Sequence, residues 1–250
     1  MFPFRDHNPS GRTPFVTYAL IAINVIVFLL YWPLFDQPSA LGAFFHTWGM
    51  LPSEVTGGAM LYTPFTSMFL HSGVMHLLGN MLFLFIYGDN IEDALGHFGF
   101  AVFYIAAGLA AALLHVVTNP ASQVPVIGAS GAISGVMGAY LLMYPRAKID
   151  VALIFVIFIK VITLPAYLVL GVWMAFQLFN GFSTVGSDGG GVAYWAHIGG
   201  FAAGVLFILP LWLRLGGPAF WRRSLFHPPH APTFVTRATS IPVVRRKRRR

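Results

Sequence analysis

The chain has 250 residues, of which 57% are hydrophobic and 9% charged, with a mean hydropathy of +0.72. A soluble domain carries about 25% charged residues, so this composition excludes a globule covered by polar surface and points to a polytopic membrane protein. The absence of cysteine excludes disulfides, thiolate metal sites and cysteine nucleophiles, and the net charge of +7 marks no nucleic-acid groove, because ten of the fifteen basic residues lie at or beyond Arg214.

A crossing helix needs about 20 mostly apolar residues. Residues 1–13 are expected to be a cytoplasmic segment, and Phe15–Trp32 the first crossing. That run, behind Arg5 and Arg12, could be mistaken for a secretory signal, but no small-residue cleavage site stands out and it is read as an anchor. Val74–Leu95 is the second crossing, interrupted by His76 and Asn80 and ending in the polar stretch Asp89–Asp93. Phe98–Val117 and Val126–Tyr144 are the third and fourth. Asp150 and Lys160 bracket the nine apolar, largely β-branched residues VALIFVIFI. At about 1.5 Å per residue these are too short to cross, so they are read as lying at the interface, with the fifth crossing at Thr163–Asn180. One long tilted helix with Lys160 buried is the alternative, and a costly one. Tyr194–Leu213 is the sixth. The predicted fold is therefore an all-α polytopic bundle of six transmembrane helices over residues 14–215. Residues 216–250, punctuated by GGP, PPH and APT and ending RRKRRR, read as a basic, disordered cytoplasmic tail drawn to anionic lipid. Six crossings before it argue against a nucleic-acid role for that cluster.

Orientation follows from the basic residues. With the N-terminus on side A, that side holds Arg5 and Arg12, then Arg146, Lys148 and Lys160, then all ten in the tail. Side B, made of segments 34–73, 119–125 and 182–193, holds none. The positive-inside rule makes side A cytoplasmic, with both termini there.

Ionisable and polar residues are expensive in lipid and require individual explanation. The second, fourth and sixth crossings all begin on side B, and near their starts stand His76 and Asn80, Ser130, and His197. Counted along the runs, His76, Ser130 and His197 each lie roughly three to five residues inside, about 5–8 Å below the outer boundary. Independent helices have no reason to share one polar level. His76 and Asn80, four residues apart, share a face. Gly131 with Gly135, and Gly200 with Gly204, are GxxxG pairs below Ser130 and His197, and two such faces packed together would bring serine to histidine.

Serine beside histidine is the activated-nucleophile arrangement of acyl transfer. His76, Asn80 and the N–H groups at the start of the fourth crossing could stabilise an oxyanion, aided by the helix dipole. No acidic residue falls within a crossing on side B, so a dyad is expected. Ser134 shares Ser130's face but lies about 6 Å deeper, and is read as packing. His71, before its helix, is read as a loop histidine supporting His76. His46 and His97 read as ordinary loop residues, and no pattern ties in His115. Glu92 and Asp93 are expected to anchor helix ends. The histidines could suggest a metal, but they lack a carboxylate or tight ligand spacing, so neither metal nor cofactor is expected.

GASG at 128–131, HLLGN at 76–80 and AHIGGFAAG at 196–204 together resemble the rhomboid family of intramembrane serine proteases. The similarity runs in order from about Asn8 to Leu213. The resemblance implies Ser130 as nucleophile and His197 as general base. It also implies His76, Asn80 and the Ser130 amide as oxyanion hole, with Gly128 and Gly131 allowing close approach of substrate. It implies six helices around a water-filled cavity open to side B, a partly embedded 34–73 segment, a fifth crossing acting as lateral gate, and a flexible cap at 181–191. One departure is that Trp48 is followed by Gly49, where some relatives carry a Trp-Arg pair. The expected activity is endoproteolysis of single-span membrane proteins near their side B end. A catalytically silent, client-binding rhomboid-like protein is the rival, and would be favoured had either Ser130 or His197 been absent. A transporter would instead place polar groups at several depths.

Overall fold

The computed structural model describes residues 2–154, 159–183 and 191–228. Most of the expected cap, residues 184–190, and the tail from 229 onward lie outside the described residues. The chain runs from strand β1 (Phe2–Asp6) into helix α1 (Phe15–Tyr31), then a 3-10 turn (Trp32–Asp36) and α2 (Pro38–Trp48). Two short helices, α3 (Pro52–Thr56) and α4 (Thr63–Thr66), lead to α5 (Val74–Thr118) and α6 (Ser130–Met143). Strands β2 (Lys148–Ile154) and β3 (Ile159–Pro165) precede α7 (Ala166–Ser183), α8 (Tyr194–Arg214) and α9 (Pro218–Ser224).

Among the described residues, four helical stretches are long and apolar enough to cross a membrane: 15–36, 74–118, 166–183 and 194–214. The second covers two of the expected crossings. Its 45 residues are interrupted at Gly96, which takes φ 72° and ψ 164°. That left-handed φ is open to glycine at little cost and ends regular helix geometry there. The expected fourth crossing is shorter than its apolar run, since α6 has only 14 residues.

The bundle is not all-α. β1, β2 and β3 form an antiparallel three-stranded sheet in that order, with Arg5 opposite Asp150 and Asp150 opposite Thr163. The stretch read as interfacial thus supplies strand residues on both sides of 155–158. Its β-branched side chains suit a pleated surface, and the N-terminal segment, which carries no strand signal of its own, provides the third strand. The helix of the expected fifth crossing, α7, accordingly starts at Ala166, after the sheet, and not at Thr163. The tail also begins with structure, because α9 packs Phe220 into the core and Trp221 Nε1 donates to the Leu142 carbonyl at 2.8 Å.

α5, α6 and α8 form the centre, with α1 against α5 and α7 lying mainly on α8. Tyr87, Phe100, Tyr104 and Tyr140 are fully buried there, and the Tyr87 and Tyr140 rings meet edge to face at 5.0 Å. At the sheet end, charged groups tie the elements together. Asp150 accepts from Arg5 at 2.6 Å, His7 at 2.8 Å and Thr163 at 2.7 Å. Burial would raise its carboxyl, but these hydrogen bonds outweigh burial and hold it down to about 2. Asp6 shows the opposite balance: burial pushes it up to about 6 against bonds from Asn8 and Tyr140. Glu92 accepts from the Val16 and Thr17 amides at 2.9 and 2.8 Å and from Thr17 Oγ1 at 2.7 Å, which satisfies the open N–H groups at the start of α1. Glu92 therefore anchors a helix end, as its position in the sequence suggested.

Candidate active site

Ser130 is the first residue of α6, not one several residues inside it. The preceding apolar residues look helical by composition, but Val126 exchanges two backbone hydrogen bonds with Met50, at 3.0 and 2.8 Å, as an isolated β-bridge. Gly128 then turns the chain at φ 135°, its N–H held by the Ser67 carbonyl at 2.9 Å. A side chain here would be strained, and its Cβ would stand 3.0 Å from His76 Nε2 and 3.4 Å from Ser130 Oγ. Gly128 is thus the point where His76, on α5, and Ser130, on α6, approach each other. The first-turn N–H groups of α6 lack intrahelical partners and carry the positive end of its dipole.

His197 is the fourth residue of α8 and is buried. Its Nε2 lies 2.7 Å from Ser130 Oγ. The small-residue faces of α6 and α8 make this contact sterically accessible. A Cβ on Gly200 would overlap the Gly131 carbonyl, and one on Gly204 would overlap the Gly135 carbonyl. A Cβ on Gly135 would stand 3.1 Å from the Gly200 carbonyl. On the far side, Gly131 and Gly135 face Ala111 and Ala107 of α5. The helices therefore meet backbone to backbone, as small residues permit in membrane bundles.

The other ring nitrogen of His197, Nδ1, lies 2.8 Å from Oε1 of Gln177 on α7. The sequence reading did not single out Gln177. The signal was an uncharged polar residue inside an apolar crossing, one that a search for a carboxylate passes over. The Trp173 ring lies 5.7 Å from the His197 ring at 35°. Oε1 can only accept, so a hydrogen bond at this contact requires the proton on Nδ1 and leaves Nε2 to accept from the serine hydroxyl.

His76 carries the reverse tautomer. The Ser72 N–H donates to its Nδ1 at 3.3 Å, with Ser72 Oγ at 3.0 Å, which leaves the proton on Nε2, the atom nearest Gly128. Asn80, one turn further on, is buried, and its Nδ2 has no partner among the described residues. Two donors therefore lie on one face of α5. His71 is fully buried, its backbone N–H and carbonyl both bonded to the Tyr31 hydroxyl, and its ring packs edge-on at 5.1 Å against His76. It lies behind His76.

Ser134 is buried and donates to the Ser130 carbonyl at 2.6 Å, a contact within its own helix. His115 has a buried Nδ1 with no partner among the described residues and belongs to none of these hydrogen bonds. His97 bonds Glu92 at 2.6 Å, and His46 lies on α2. Among the described residues there is no cluster of three His, Asp or Glu arranged to hold a metal. A cavity of about 530 Å³ opens at the opposite end of the molecule, lined by Asp6, His7, Asn8 and Asp89.

Known proteins are similar to this chain in sequence. A family model described as Rhomboid domain matches residues 58–214, which include Ser130, His197, His76, Asn80 and Gln177. Rhomboid protein 1, mitochondrial, of Saccharomyces cerevisiae is 30% identical over 198 residues, 77% of this chain and 52% of the relative. Rhomboid protease GluP of Bacillus subtilis is 27% identical over 216 residues, 86% of this chain and 38% of the relative. RHOMBOID-like protein 1 of Arabidopsis thaliana is 39% identical over 77 residues, 31% of this chain and 19% of the relative. The chain therefore spans about half, or less, of the length of these relatives. With apolar helices of crossing length and a domain match over most of its length, this integral, multi-pass membrane protein belongs to the rhomboid family.

Proposed function

We propose that the chain is an intramembrane serine endopeptidase that cleaves single-span membrane proteins in or near their transmembrane segment. The observation that carries this reading is the 2.7 Å contact between Ser130 Oγ and His197 Nε2, made by residues on different helices. The name of the Bacillus subtilis relative, a rhomboid protease, supports the same class.

In the proposed reaction, Ser130 Oγ attacks a scissile carbonyl carbon while its proton passes to His197 Nε2. The negative charge gathers on the carbonyl oxygen, toward the His76 Nε2–H, Asn80 and the first-turn amides of α6. Collapse breaks the C–N bond, and the imidazolium gives its proton to the departing amine. Water, deprotonated by the same imidazole, then hydrolyses the acyl-serine ester. Substrate helices must unwind locally before a carbonyl can reach Ser130, so helix-weakening Gly or Pro near the cut should favour cleavage.

We read six crossings, with the termini cytoplasmic and Ser130 opening to side B. The interruption at Gly96 divides α5 into two lengths, each sufficient to cross. The segments before and after α5 also meet each other: the Gly128 N–H donates to the Ser67 carbonyl at 2.9 Å, and the Ser53 N–H to the Ser122 carbonyl at 3.1 Å. α6 is about 21 Å long, shorter than a hydrocarbon core of about 30 Å, so its first residue would lie below the surface. The basic tail would rest on anionic lipid on side A.

The test is cleavage of a model transmembrane substrate in liposomes by wild type, Ser130→Ala and Ser134→Ala. Ser130→Ala is expected to lose activity by a factor on the order of 10⁴ or more, and Ser134→Ala to retain most of it. Cleavage that survives Ser130→Ala would sink the assignment. Failure of all three across several substrates would favour the client-binding reading.

A further inference from the structure

We infer that Gln177 is a positioning residue for His197, a neutral third member that fixes which imidazole nitrogen faces Ser130. The inference rests on the peptidase reading above and deepens it. Its Oε1 lies 2.8 Å from His197 Nδ1, and both side chains are about nine-tenths buried, at 8% exposure each. Gln177 Nε2 points to the Trp173 carbonyl at 3.5 Å, which directs Oε1 toward the histidine. Trp173, one turn earlier on α7, lies against the His197 ring. Two side chains of one helix thus hold the imidazole by an edge and a face. Among the described residues, the hydrogen bonds of that ring run to Ser130 and Gln177.

An unaided neutral imidazole interconverts between tautomers, and only the one protonated at Nδ1 can accept the serine proton at Nε2. Accepting from Nδ1–H, the amide selects that tautomer and the ring orientation together. A carboxylate would do the same, and would stabilise the imidazolium more strongly. It would also bury a full negative charge in an apolar helix contact, at a desolvation cost that an amide avoids. The amide therefore provides orientation without a buried charge. It also makes readiness for proton transfer depend on the seating of α7, because the acceptor and the nucleophile stand on different helices.

The test compares wild type, Gln177→Leu and Gln177→Glu for kcat and KM on the model substrate, with thermal melts for folding. ¹⁵N NMR of histidine-labelled protein reads which nitrogen of His197 carries the proton. Loss of one buried hydrogen bond predicts a kcat about 10- to 100-fold lower in Gln177→Leu, with KM within about twofold. Gln177→Glu, which keeps an acceptor, should recover kcat to within about fivefold of wild type. The Nδ1–H signal should be present in wild type and Gln177→Glu, and give way to a tautomer mixture in Gln177→Leu. Unchanged kcat in Gln177→Leu, a change confined to KM, or no recovery in Gln177→Glu would overturn the inference. So would a wild-type His197 protonated at Nε2, a readout that holds even if Gln177→Leu does not fold. Should wild type and Ser130→Ala both fail to cleave, the peptidase reading falls, while the NMR measurement still decides the Gln177 contact.

Discussion

His76 and His197 stand beside the same serine with opposite tautomers, and their neighbours set the difference. Ser72 donates to Nδ1 of His76, while Gln177 accepts at Nδ1 of His197. One ring therefore offers a donor to the site and the other an acceptor, which is what the proposed reaction asks of His76 at the oxyanion and of His197 in taking the serine proton. Removing a donor directed at developing charge costs about 10²–10³ in kcat where it has been measured. His76→Ala should show a loss of that order with KM little changed, whereas His76→Gln, which keeps an N–H donor, should lose less. Steady-state kinetics on the model substrate checks this, and a His76→Ala enzyme within twofold of wild type would remove His76 from the oxyanion role. Asn80, whose buried Nδ2 has no partner among the described residues, is the second donor in the proposed reaction.

At the scale of elements, the site depends on how closely α6 and α8 approach. A Cβ on Gly204 meets the Gly135 backbone, which cannot swing aside as a flexible side chain could. Gly204→Ala would gain up to about 1 kcal/mol of helix propensity, but overpacking a tight contact costs about 1–3 kcal/mol, so the variant should melt lower. At Gly171 of α7, a Cβ would meet nothing within 4 Å, so Gly171→Ala should be neutral or stabilising. Melting curves of the two variants in one detergent check the pair, and a Gly204→Ala as stable as Gly171→Ala would refute close packing as the constraint. These glycine faces were legible because GxxxG spacing carries a geometric meaning that needs no partner. The start of α6 was less so: Val126 and Ile127 are as apolar as helix residues, and only the pairing of Val126 with Met50 takes them out of the helix. The sheet was missed for a related reason. A short β-branched run fits a strand or an interfacial segment equally well until a partner strand is known, and that partner lies at the far N-terminal end of the chain. Gln177 was hidden because an amide draws no attention where a carboxylate is sought.

At the scale of the whole molecule, the charge asymmetry and the sheet agree on one face. Arg5 and Lys148 lie on the strands that close the end opposite Ser130, and Arg5 pairs with Asp150 across them. In the proposed topology the positive-inside rule would put that face in the cytoplasm and the serine toward the other side. The absence of cysteine makes this directly measurable, because every introduced thiol is unique. Thr13, Ser39 and Gln123 are all exposed, and six crossings place Thr13 on side A and the other two on side B. In intact expressing cells, a membrane-impermeant maleimide should label Ser39→Cys and Gln123→Cys, and should label Thr13→Cys only after permeabilisation. Gln123 is the discriminating position, because it follows α5. Were α5 a single crossing, Gln123 and Ser39 would stand on opposite sides and could not both react from outside. Labelling of Thr13→Cys alone in intact cells would invert the molecule and turn the serine toward the cytoplasm. Labelling of Ser39→Cys and Gln123→Cys together would tie the turn at Gly96 to the cytoplasmic face and leave Ser130 facing away from it.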